Sequence, residues 1–147
     1  MAEKRMFSKS IVLSDQFLDM PASARDLYYA MSMSADDDGF VNSPKSIMRQ
    51  CSAGETDYNL LLKNEYIIGF ETGVAVIKHW KINNYLRVDR YKPTIYQDDF
   101  IKLTEESNGE YRLLTEEELK KKEIDELKEL DADFPFGIPS IDKSRVV

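Results

Sequence analysis

The sequence predicts an α+β fold, mostly helical, followed by an acidic, partly helical C-terminal extension. Three observations carry this expectation. Helix-start signals recur at Ser14-Asp15, Pro21 and Ser43-Pro44. After Asn64 the apolar period changes from helical to extended around a glycine turn. Charge is divided unevenly: residues 1–97 hold twelve Lys and Arg against twelve Asp and Glu, whereas residues 98–147 hold eight against fifteen. The whole net charge of -7 therefore lies in the last third. Dense apolar patterning also stops near Gln97, which sets a globular region over 1–97 and an acidic extension over 98–147. A chain of 147 residues is one domain's worth, and 42% hydrophobic with 11% aromatic residues is enough for a core.

Each element follows from local chemistry. Ser14-Asp15 suits the cap of a short helical turn through Met20. Pro21, whose fixed φ is helix-compatible and whose missing N–H is not needed in a first turn, opens a helix over about 21–34. Leu27, Ala30, Met31 and Ser34 form its core-facing stripe, with Arg25 and Asp26 to one side. Asp36-Asp37-Asp38-Gly39 stops it, because aspartates compete for backbone hydrogen bonds and glycine permits a left-handed turn. Phe40-Val41 is a very short strand. Ser43-Pro44 starts a helix to Gln50 with Ile47 and Met48 inward. Ser52 and Glu55 have capping-box spacing and introduce a third helix to about Glu65, with Tyr58, Leu61 and Leu62 on one face. Residues 67–70, the turn Glu71-Thr72-Gly73, and residues 74–80 read as a β-hairpin. Residues 81–96 mix aromatics with bases. Residues 113–130 form a charged helix with a thin apolar seam at Leu119 and Leu130, and residues 134–141, with Pro135, Gly137 and Pro139, form a flexible or extended end.

The available chemistry is narrow. One cysteine, Cys51, excludes an intramolecular disulfide and a Cys-rich zinc site, and one histidine, His79, leaves few transition-metal ligands. The aspartate run fails as a calcium loop: with Asp36 and Asp38 as the third and fifth positions, the twelfth is Lys45, where a bidentate glutamate is needed. A nucleophile with a base, paired carboxylates in an apolar setting and a Gly-rich phosphate loop are all missing, so a non-enzyme without cofactors or metal is expected. The sequence has no run of roughly 20 apolar residues that would span a membrane, and a cytoplasmic protein is expected.

Helix, short strand, helix, turn, helix and two-stranded hairpin is the order of a winged helix-turn-helix, with a three-helix core and the hairpin as wing. The stretches Met20-Pro-Ala-Ser-Ala-Arg-Asp-Leu-Tyr-Tyr-Ala-Met, Ala35-Asp-Asp-Asp-Gly-Phe-Val-Asn and His79-Trp-Lys-Ile-Asn-Asn-Tyr-Leu-Arg-Val-Asp-Arg-Tyr-Lys-Pro-Thr carry a more specific likeness. They resemble the N-terminal region of phage and prophage replication proteins from Gram-positive hosts, the replisome-organiser and DnaD-like initiators, over residues 1–96. The resemblance implies a non-catalytic role in DNA replication: binding origin DNA, self-associating, and helping to load the host helicase. Family members also use this domain chiefly for oligomerisation. Two departures keep that open. The third helix carries Glu55, Asp57, Lys63 and Glu65, and the hairpin tip has no base.

The best nucleic-acid candidate is the segment 78–92, with Lys78, Lys81, Arg87, Arg90 and Lys92 against Asp89 alone, interleaved with Trp80, Tyr85 and Tyr91. A plainer reading makes Trp80, Tyr85 and Leu86 core and the bases its solvated border. On the third helix Thr56, Asn59 and Lys63 fall off the apolar face, within reach of base edges on duplex DNA. His79 and Cys51 read as structural. The acidic helix reads as a solvated face, or as a surface that competes with DNA for the basic segment. The expected partners are duplex or single-stranded DNA, further copies of the chain and helicase-loading proteins. The rivals are an oligomerisation module without DNA contact and a phage transcriptional regulator on the same fold.

Overall fold

The computed structural model describes residues 4–84 and 90–133. The fold is α+β, with helices and small antiparallel sheets. Two short helices, α1 (Lys9–Val12) and α2 (Asp15–Leu18), lead in. Ser14 caps α2 by accepting from Phe17 N, the cap expected at Ser14-Asp15. Helix α3 (Ala22–Ser34) buries Ala24, Leu27, Tyr28 and Met31, one stripe at helical spacing. Ser34, expected on that stripe, is exposed, and Ala30 is half-buried; Ala24 and Tyr28 take those places, one turn nearer the N-terminus.

Strand β1 (Phe40–Val41) is followed by α4 (Pro44–Gln50) and α5 (Glu55–Lys63), both packed on α3. Ser43 caps α4 as expected, accepting from Ser46 N. The expected Ser52–Glu55 box does not form. Ser52 lies in the left-handed region at φ 54, where it ends α4: Ala53 N donates to Met48 O at 2.8 Å and Ser52 N to Arg49 O. A residue that closes one helix this way is unable to cap the next. Gly54 stands at the α5 N-cap, and Asp57 reaches back to accept from Gly54 N at 3.0 Å.

Strands β2 (Ile67–Gly69) and β3 (Ala75–Ile77) form the expected hairpin, turning at Gly73 with φ +90. Strand β1 adds to β3, in the order β1-β3-β2, with Phe40 opposite Val76 and Ile68 opposite Val76. The second strand is shorter than the sequence suggested. It ends at Ile77, and Trp80 begins a one-turn helix, α6 (Trp80–Asn83). The indole turns inward over Gly39 and donates Nε1–H to Asp37 O at 2.9 Å, which extended backbone at Trp80 would forgo.

After α7 (Gln97–Phe100), strands β4 (Leu103–Glu105) and β5 (Tyr111–Leu113) form a second hairpin that the sequence reading lacked. It packs on the core: Leu103 and Tyr111 are buried, Tyr111 N donates to Lys78 O, and its hydroxyl donates to Asp38 O. The compact unit therefore runs from Met1 to Leu113, past the expected boundary at Gln97, and the second unit is Leu114–Val147. Composition marked where the acid begins, while burial of Tyr111 decides where the fold ends. In the second unit, α8 (Glu116–Asp133) starts three residues later than expected, behind a reciprocal box in which Glu118 N donates to Thr115 Oγ1 and Thr115 N to Glu118 Oε1. Among the described residues no helix is long and apolar enough to cross a membrane.

Candidate nucleic-acid interface

Helix α5 is held by its inner face, where Leu61 is buried and Tyr58 and Leu62 lie over Gly69 of the hairpin. The helical period then turns Thr56, Asn59 and Lys63 outward, and all three are exposed. Of the three acids read on this helix, Asp57 is drawn into the fold, whereas Glu55 and Glu65 stay exposed. Asp57 accepts from Ser23 Oγ at 2.7 Å as well as from Gly54 N, so its charge is committed to joining α5 to α3 and to the helix end. Glu65 lies 3.7 Å from Lys78. Glu55 remains outward.

A groove of about 550 Å3 separates the start of α4, the outer side of α5 and the hairpin tip; Lys45, Met48, Tyr58, Asn59 and Thr72 line it. Thr72 donates its hydroxyl to Asp99 Oδ2 at 2.7 Å, which ties the tip to α7. Lys45 and Arg49 are exposed on α4, two bases that the sequence reading left out. Their signal was the spacing after Ser43-Pro44, which turns Ile47 and Met48 inward and leaves these two on the other side.

The basic segment is divided by the fold. Lys78, with its side chain 16% exposed, is paired with Glu65 and with Glu110 at 4.0 Å. Lys81 lies 3.9 Å from Asp38 and over the Tyr91 ring at 5.8 Å. Arg90 and Lys92 are exposed, while Arg87 lies outside the described residues.

The run Asp36-Asp37-Asp38, read as a turn, does more than stop α3. Asp38 accepts from Thr94 N and lies 2.7 Å from the Tyr91 hydroxyl through either carboxylate oxygen. Asp37 accepts from Lys92 N, and Arg5 stands 3.7 Å from its other oxygen. Asp36 accepts from Phe40 N and the Thr94 hydroxyl. Desolvation, then the hydrogen bond to Asp38 and the charges of all three aspartates, push the Tyr91 phenol well above its ordinary range. Tyr91 stays a donor at any physiological pH. Among the described residues, no group of His, Cys, Asp and Glu is arranged to hold a metal ion. No protein-family model, curated protein or solved structure matches the chain.

Proposed function

We propose that the chain is a winged-helix protein of phage or prophage DNA replication, one that binds duplex DNA through α5 and the β2–β3 hairpin and organises partner proteins without a chemical step. The observation that supports this best is the outward row Thr56, Asn59 and Lys63 on α5, of which Asn59 lines a groove shared with the hairpin tip and Lys45. Arg49 is exposed one turn beyond Lys45 on α4. An amide at Asn59 is able to pair with both edge atoms of adenine, and the lysines and arginine neutralise phosphates. Arg90 and Lys92 add exposed charge. The replication role, self-association and delivery of a helicase rest on the resemblance of the Met20, Ala35 and His79 stretches to replisome-organiser and DnaD-like proteins.

Fluorescence anisotropy on duplex DNA at several salt concentrations tests this reading. Affinity is expected to fall steeply with salt, and Lys45→Glu with Arg49→Glu to weaken binding to all sequences, whereas Asn59→Ala weakens one sequence more than others. Salt-independent or undetectable binding would oppose it. The internal pairing of Lys78 and Lys81 favours a second reading, an oligomerisation module on the same fold. Light scattering separates the two: that reading expects an oligomer of the same size with and without DNA.

A further inference from the structure

A second hollow, of about 220 Å3, lies between β1 and the segment 92–96. Asn42 lines both this hollow and the α4–α5 groove, so the two adjoin across one side chain. One wall is aromatic: the half-buried Tyr96 ring, backed at 6.0 Å and 26° by the buried Phe40. Its rim is polar. The Asn42 amide is exposed, Lys92 brings a cation, and Asp36 Oδ2, which accepts the Thr94 hydroxyl, keeps a second lone pair. At the edge Ile95 is 79% exposed, more than any other large hydrophobic side chain described. That exposure is not a result of loose backbone, because the three aspartates bind Tyr91, Lys92 and Thr94 just before it.

An apolar slot with an aromatic wall, an amide and a carboxylate at its edge and a cation outside matches the parts of one unpaired nucleotide. The π-face meets the Tyr96 ring, the base edge meets Asn42 and Asp36, and the phosphate meets Lys92. Paired bases offer only their groove edges and are unable to enter. We propose that this hollow takes a single unpaired nucleobase beside duplex held on the α5 side, with Arg90 and Lys92 neutralising the flanking phosphates. The proposal rests on the DNA-binding reading above.

The full chain is titrated, by fluorescence anisotropy at fixed salt, with a blunt duplex, the same duplex carrying a single-stranded overhang, and that overhang built from abasic nucleotides. The normal overhang is expected to tighten binding by about tenfold and the abasic one, which keeps the phosphates, by much less. Ile95→Glu, which brings a carboxylate to the mouth, and Tyr96→Leu, which keeps apolar contact but removes the ring, are expected to abolish the gain and leave blunt-duplex affinity unchanged. Tyr96 is half-buried, so Ile95→Glu keeps the test independent of folding. Equal gains from normal and abasic overhangs, or a gain that survives Ile95→Glu, overturn the hollow and leave duplex binding standing. Base-dependent overhang binding without blunt-duplex binding sustains the hollow and removes the α5 reading. No binding to any of the three overturns both.

Discussion

Asp36, Asp37 and Asp38 hold together distant parts of the chain, from Arg5 and Trp80 to Tyr91 and Thr94, the last two more than fifty residues away from them. Gly39 closes this turn at φ +90, and a Cβ there would stand 2.6 Å from Trp80 Cγ. Left-handed strain and a collision with a buried ring add, so Gly39→Ala is expected to cost at least about 3 kcal/mol in chemical denaturation, with a shift in emission from the single tryptophan. A loss below about 1 kcal/mol would mean that the indole moves aside freely. His79 offers a pH signature. Burial lowers its pKa below the ordinary 6.5, against an upward pull from Glu110 and with a smaller downward push from Lys78. The unfolded chain therefore takes up the proton more readily than the folded one. Its contribution to stability is full above about pH 6.5 and is lost as pH falls from there toward the lowered folded value. Unfolding free energy between pH 7 and 5 should fall more steeply in the wild type than in His79→Gln; parallel profiles would exclude His79 as the cause.

Helices α4 and α5 both end on a non-glycine residue in the left-handed region, Ser52 at φ 54 and Glu65 at φ 62. In each case paired backbone bonds close the end; Tyr66 N donates to Leu61 O at 2.9 Å after α5. Sharp exits at these two positions set the angle between the helices and the entry into the hairpin. Glycine reaches the same conformation without a Cβ penalty, so Ser52→Gly is expected to stabilise the fold by about 0.5–1 kcal/mol. A drop in midpoint temperature would show instead that the serine side chain contributes at this bend. The capping box expected at Ser52 had the right spacing. It was displaced because a backbone motif six residues long took the serine first, a competition that spacing alone does not express.

At the scale of the whole molecule the compact unit continues to Leu113 because Tyr111 and Leu103 complete the core. A chain ending at Leu113 is expected to unfold cooperatively with the midpoint of the full chain, whereas one ending at Gln97 loses the second hairpin and is expected to be unfolded or aggregated. Circular dichroism melts decide between them, and a folded chain of residues 1–97 would refute the assignment. Any test of the acidic tail as a competitor for DNA belongs on the longer truncation. The turn Asn108-Gly109, with Gly109 at φ +89, was a legible hairpin signal between alternating strands. The acidic composition around it led instead to an extension. Helix starts at Ser14 and Ser43, the α3 stripe at Leu27 and Met31, and the first hairpin are local, set by caps, period and turn residues within a few positions, and were legible in the sequence for that reason. The same helical period separated the outward Thr56, Asn59 and Lys63 from the core. Which bases meet a carboxylate depends on the folded arrangement: Lys78 is half-buried between Glu65 and Glu110, and Lys81 is exposed but stands 3.9 Å from Asp38. Asp37 binds the backbone of Lys92, and Arg90 and Lys92 are exposed. Net charge over a segment carries no record of such partners, because an ion pair depends on distance in space.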